Sequence, residues 1–125
     1  MSCGPSYQII KNIRFPKHFC AHNIEYALSY TPEKGDNFVV TYPKSGTTWT
    51  QLIIKLIINE GFNDENNTTF MRNSFLEFSG EDVIKYPVIK THLPFHSLPY
   101  NTNANYLCVF HNPKNVSVSY FYHTL

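Results

Sequence analysis

The sequence predicts an α/β domain, a P-loop-like parallel β-sheet with flanking helices, and three observations carry that prediction. The β-prone run Phe38-Val39-Val40 passes through a polar turn into a stretch where Trp49, Leu52, Ile53, Leu56 and Ile57 recur at helical spacing. Two more strand-like runs follow, Val88 to Thr91 and Tyr106 to Phe110. After the second, Asn112-Pro113 is an N-cap with proline at the first helical position. Strand, helix, strand, linker, strand, helix is the order of a parallel sheet with crossover helices.

Taken in order, Phe15-Pro16 opens an irregular segment, and Asn23 is placed to cap a short helix over Ile24 to Tyr30. Thr31 to Asn37 is turn material leading into the first strand. Gly61 to Thr69 is polar and Asn-rich, a surface loop; Phe70 to Phe78 is aromatic and irregular; Gly80 to Lys85 suits a short helix. The last helix runs from Pro113 toward Leu125 and meets no breaker. Three parallel strands leave an edge and much of one face uncovered. The expectation is a single partial domain over residues 1–125, a fragment of a larger domain or a truncated gene product.

Composition narrows the function classes. A chain that is 42% hydrophobic and 16% aromatic with net charge +1 is neither disordered nor an electrostatic binder of nucleic acid. Met1 to Tyr7 contains no basic region followed by an apolar run, and the longest apolar stretch, broken by Lys55, is short of a membrane span. No membrane partner is expected. Cys3, Cys20 and Cys108 are odd in number and far apart, which reads as reduced thiols in the cytoplasm, with Cys108 a core residue. Asn66, Asn67 and Asn115 begin N-x-[ST] patterns that are chance matches without a secretory route. His92 and His96 are four apart, but Pro94 between them prevents the helix that would align them, and no metal is expected.

Thr41 to Trp49 has the anatomy of an anion site. The first N–H groups of a helix lack intrahelical partners and sit at its positive end, and Gly46 leaves the approach open. Lys44 adds a charge, and Ser45, Thr47 and Thr48 add hydroxyls. An ordinary strand-to-helix turn with Ser or Thr as N-cap is the plainer alternative. The stretch does not fit the nucleoside-triphosphate P-loop, because its lysine precedes the glycine by two and no Mg²⁺-holding hydroxyl follows that lysine in the P-loop manner. In parallel sheets, ligands bind beyond the carboxyl ends of the strands. Each strand here delivers polar residues there: Lys44 to Thr48, Lys90 to His92, and His111 with Asn112.

These stretches together resemble the cytosolic sulfotransferase family. "TYPKSGTTW" (residues 41–49) is similar to its 5′-phosphosulfate loop, "VIKTHLPFHSLP" (88–99, with the segment assigned as 88–98) to its catalytic-histidine segment, "FLEF" to its substrate-pocket stretch, and "VFHNPKNVSVSYFYH" (109–123) to its 3′-phosphate segment. The resemblance implies transfer of a sulfonate from 3′-phosphoadenosine 5′-phosphosulfate to a hydroxyl or amine of a small-molecule acceptor, without metal. On that basis His92 is the expected base and Lys44 stabilises the departing phosphate oxygen, with Lys90 assisting at the sulfonate. Ser45, Gly46, Thr47 and Thr48 are expected at the 5′-phosphate, His111 and Ser119 at the 3′-phosphate, and Phe75 and Phe78 in the acceptor pocket. Trp49 is similar to the family's adenine-stacking tryptophan, against the alternative of core packing on an amphipathic helix.

The chain departs from the family pattern at His111, where an arginine is expected eight residues before Ser119, and at Asn115, where an aspartate is common. The family's downstream glycine-rich segment and C-terminal dimer motif are absent from this sequence. Two alternatives stand beside sulfonate transfer: a catalytically inert fragment, and a P-loop-type nucleotide-binding protein.

Overall fold

The structure, a computed structural model, describes residues 6–61 and 67–124. Tyr7–Ile10 (β1) and Ile13–Pro16 (β2) pair as an antiparallel hairpin. Lys11 and Asn12 close it at φ 48° and 64°, the left-handed pair whose twist suits a two-residue hairpin turn. The segment expected to be irregular at Phe15-Pro16 is therefore the second hairpin strand, and Phe15 is buried.

Ala21–Ser29 forms the first helix (α1), N-capped at Cys20. Asn23 thus falls inside the first turn and does not cap it. Its Nδ2 instead donates to the Phe78 carbonyl at 2.6 Å, and a Cβ added at Gly80 would meet its Oδ1 at 2.5 Å. Asn23 fastens α1 against the chain around Gly80, where only a glycine allows that approach.

Asn37–Thr41 (β3) is the central strand of a parallel sheet of order β4-β3-β5, with β4 at Ile89–Thr91 and β5 at Asn105–Val109. Val40 lies opposite both Thr91 and Cys108, and Thr41 opposite Val109, so the three carboxyl ends come out together at one edge. The period of two along β3 divides the core. Phe38 joins Phe15, Ile24, Ala27, Leu76 and Ile89 on the α1 side. Val39 joins Phe70 and Val88 on the other, with half-buried Ile54 packed against them.

The expected loop and irregular stretch from Gly61 to Phe78 carries two short helices, Asn67–Asn73 (α3) and Leu76–Ser79 (α4). Residues 62–66 of that expected loop lie outside the described residues, as does Cys3. Gly80–Asp82 is a single 3₁₀ turn, shorter than the helix expected to Lys85. The final helix, Pro113–Thr124 (α5), begins where expected, and the Asn112 Oδ1 cap accepts the Lys114 N–H at 3.0 Å.

Thr47–Ile58 (α2) follows the anion loop, but its apolar stripe does not face the sheet. Thr47, Gln51 and Lys55 are its buried residues, with Gln51 Nε2 donating to Ser74 Oγ at 2.8 Å and Lys55 Nζ 5.3 Å over the Phe70 ring. Trp49, Ile53 and Ile57 are exposed, so core packing on this sheet is not what Trp49 does. Cys108, expected in the core, is also exposed. It lies on β5, an edge strand with one side uncovered. Leu107, Phe110, Val118, Phe121 and Tyr122 are exposed along the same region of β5 and α5. No helix of the described residues is long and apolar enough to cross a membrane.

Candidate active site

The anion loop is shaped by two left-handed residues, Lys44 at φ 66° and Gly46 at φ 92°. Gly46 is the N-cap position of α2 and offers no side-chain cap, so the helix's first N–H groups stay available. A Cβ built on Gly46 meets nothing within 4 Å, so the glycine is required by its backbone and by the open approach to those donors, not by crowding. Lys44, Gly46 and Thr48 are exposed, whereas Ser45 and Thr47 are buried. Thr47 Oγ1 shares a 2.6 Å hydrogen bond with Thr41 Oγ1. The Thr47 hydroxyl is thus turned inward onto Thr41, and the backbone N–H of Thr47 is the group it offers at the start of α2.

That same Thr41 fixes His92 across the sheet. His92 Nδ1 lies 2.8 Å from the Thr41 carbonyl and 3.1 Å from Thr41 Oγ1. A carbonyl only accepts, so Nδ1 carries the proton and donates, and Nε2 carries the lone pair. Burial, then the charge of Lys90, pulls the His92 pKa down to about 4, against the opposing effect of the Thr41 carbonyl. The imidazole is neutral at pH 7 and in one tautomer. A near-neutral pKa is the ordinary expectation for a catalytic histidine; here desolvation and the neighbouring ammonium override it.

Lys90 and His92 stand on either side of Thr91 and are both lined by the segment before α4. The Lys90 N–H donates to the Ser74 carbonyl at 2.8 Å, and Lys90 Nζ lies 4.1 Å over the Phe75 ring. The same ring meets His92 edge to face at 5.0 Å. Burial holds Lys90 below the usual lysine value, with the charge of Glu77 acting the other way. Glu77 is fully buried; its Oε1 accepts from the His92 N–H at 2.6 Å and from Thr91 Oγ1 at 3.1 Å. Its Oε2 has no hydrogen-bond partner among the described residues. Burial pushes this carboxyl up to about 7, despite those hydrogen bonds and the Lys90 charge.

Sequence reasoning did not single out Glu77 or Thr41. The available signal was a lone carboxylate inside an aromatic stretch, since a charge in an apolar run must find partners when buried. Phe75 meets both Lys90 and His92, while Phe78 lies under Arg72 and packs against Phe19, whose ring also meets Phe75. Trp49 is 73% exposed at the start of α2, beside the loop. His111 is exposed just past β5, and Ser119 is half-buried on α5. The rings of Tyr42 and Tyr120, 6.1 Å apart, join the loop to that helix.

A glycine turn into a helix and an oriented neutral histidine thus meet at the carboxyl edge of a parallel sheet. The chain belongs to the sulfotransferase family, whose sulfotransferase-domain model matches residues 34–125. Rabbit (Oryctolagus cuniculus) amine sulfotransferase is 40% identical over 97 residues, 70% of this chain and 32% of that protein. Dog (Canis lupus familiaris) sulfotransferase 1A1 is 33% identical over 94% of this chain and 45% of its own. The crystal structure of mouse sulfotransferase SULT7A1 complexed with PAP superimposes with TM-score 0.64, over 94% of this chain and 43% of that one, at 22% identity. That last likeness is one of fold. The chain spans less than half the length of each of these relatives.

Proposed function

We propose that the protein carrying this chain transfers a sulfonate group from 3′-phosphoadenosine 5′-phosphosulfate to a hydroxyl or amine of a small-molecule acceptor in the cytoplasm. The observation that carries the reading is the Nδ1–H bond from His92 to Thr41, which leaves Nε2 able to take a proton beside the anion loop. Family membership and the fold shared with a PAP-bound sulfotransferase support the choice of co-substrate.

The co-substrate supplies an activated sulfonate on a phosphate leaving group. His92 Nε2 takes the acceptor's proton as the new sulfur–oxygen or sulfur–nitrogen bond forms. Lys44 and the first N–H groups of α2 face the phosphate oxygen that gains charge as the old bond breaks. Lys90, desolvated over Phe75, supplies a second positive charge for the sulfonate oxygens. A bound sulfonate offsets that ammonium and raises the His92 pKa toward the range of an effective base. Ser45, Gly46, Thr47 and Thr48 hold the 5′-phosphate, Thr47 through its N–H. Trp49 offers an exposed face to the adenine, while His111 and Ser119 serve the 3′-phosphate. Phe75 lines the acceptor side. No step calls for a metal.

Incubating the complete protein with ³⁵S-labelled co-substrate and a panel of phenols, steroids and amines tests the proposal. Label appears on at least one acceptor if it holds. Tight binding of the 3′,5′-bisphosphate with no transfer to any acceptor would favour an inert nucleotide binder.

A further inference from the structure

The segment Ser74–Glu77 runs alongside Lys90–His92 and touches every residue of it. Ser74 receives the Lys90 N–H, Phe75 pairs with Lys90 across an isolated parallel bridge, and the Phe75 ring meets both the Lys90 ammonium and the His92 imidazole. Glu77 completes the line. One oxygen of a fully buried carboxylate takes the His92 N–H and the Thr91 hydroxyl, and the Thr91 hydroxyl oxygen in turn accepts the Leu93 N–H at 3.1 Å. The other oxygen, also buried, has no hydrogen-bond partner among the described residues. Filling a core does not require an acidic residue there; a leucine or methionine does so without the cost of burying a half-satisfied carboxyl. The geometry therefore asks what the charge is for.

We propose that Glu77 is a positioning residue for the site: its carboxyl group pins the main chain at His92, at the end of the strand that carries Lys90. It acts through other residues. Pinning the His92 N–H fixes where the strand end turns, and hence holds the ring within reach of the Thr41 carbonyl that sets its tautomer. The charge opposes the desolvation of Lys90, which otherwise favours the neutral amine. The charged group that acts on Glu77 is Lys90 on β4, whereas His92 acts through its main-chain N–H. The inference rests on the sulfonate-transfer reading only for what these two groups act upon.

NMR on the full chain tests it directly. The pH titration follows the Glu77 carboxyl carbon, the His92 amide, the His92 ring nitrogens and the Lys90 ε-carbon. In the parent, the Glu77 inflection near pH about 7 is shared by the His92 amide and by Lys90. Glu77→Gln keeps an acceptor for the amide, so the single His92 tautomer survives. The shared inflection disappears, and the Lys90 titration moves to lower pH. Glu77→Asp keeps the charge but draws it back by one methylene, so the ring ¹⁵N shifts move toward the average of the two tautomers. In the complete protein, Glu77→Asp lowers kcat by up to about a hundredfold with KM little changed. The proposal is overturned if the His92 amide and Lys90 do not follow Glu77 in the parent, a measurement that stands even where a variant fails to fold. It is equally overturned if both variants melt earlier yet keep the parental ring shifts and Lys90 titration, the pattern of a core-filling residue. An active parent with unlinked resonances sinks Glu77 alone, whereas linked resonances in a protein that transfers no sulfonate sink the transfer reading alone.

Discussion

The site depends on one contact more than any other, the bond from His92 Nδ1–H to the Thr41 carbonyl. It places the lone pair on Nε2, and it ties the proposed base to the strand that leads into the expected anion loop. Lys44 is exposed on that loop, and in the proposed transfer it faces the charge that develops. Lys44→Met should therefore lower the turnover rate strongly and weaken binding of the 3′,5′-bisphosphate product; initial rates with calorimetry decide, and no change in either would mean that Lys44 serves solvent. His111 gives a second single-residue prediction. A 3′-phosphate beside it favours the imidazolium, so binding takes up a proton and affinity falls as pH rises through the bound-state pKa. The phosphate's own second ionisation, near pH ~6, runs the opposite way. His111→Arg keeps its charge throughout, so it should bind more tightly and show only the phosphate's dependence. Identical pH profiles for the two proteins would remove His111 from the phosphate site.

Among the elements, the turn into α2 is the most specialised. Gly46→Ala forces a left-handed alanine, at a cost of about 1 kcal/mol, and relief of that strain would shift the N–H groups that follow it. Thermal melts should show a modest loss and calorimetry a larger loss of bisphosphate affinity; unimpaired binding would place the anion elsewhere. This turn was legible in the sequence because a β-prone run, a glycine and a helical period are all local signals. The same holds for β4, β5 and the Asn112 cap of α5. Side-chain facing was not legible. The stripe from Trp49 to Ile57 gives a period but not a partner, and the helix turns Gln51 and Lys55 to this sheet instead. Glu77 was hidden for a related reason: its partner His92 lies fifteen residues away, in another element. The β1–β2 hairpin escaped because its turn, Lys11-Asn12, lacks the glycine that marks such turns.

For the molecule as a whole, two buried groups pull stability in opposite directions with pH. His92 has its folded pKa drawn from 6.5 to about 4, so the unfolded chain binds the extra proton between those values. Its contribution is present above pH 6.5 and is lost as pH falls toward 4. Glu77 has its folded pKa raised from 4.5 to about 7, so the folded chain holds the extra proton, and that contribution is lost as pH rises from 4.5 to 7. The two windows overlap, and the slopes oppose. The parent should melt at nearly constant temperature between pH 4.5 and 6.5. Glu77→Gln should leave a melting temperature that climbs with pH across this range, and His92→Asn one that declines. Flat profiles in both variants would show that neither group is buried as described.

The central claim is that His92 accepts the acceptor's proton beside an anion loop that works independently of it. His92→Ala in the complete protein tests that claim most directly, with sulfonate transfer from labelled co-substrate measured alongside calorimetry of the 3′,5′-bisphosphate. The expected result is loss of turnover by about two to four orders of magnitude, the usual worth of a general base, with bisphosphate affinity nearly intact. Turnover within a few-fold of the parent would contradict the account.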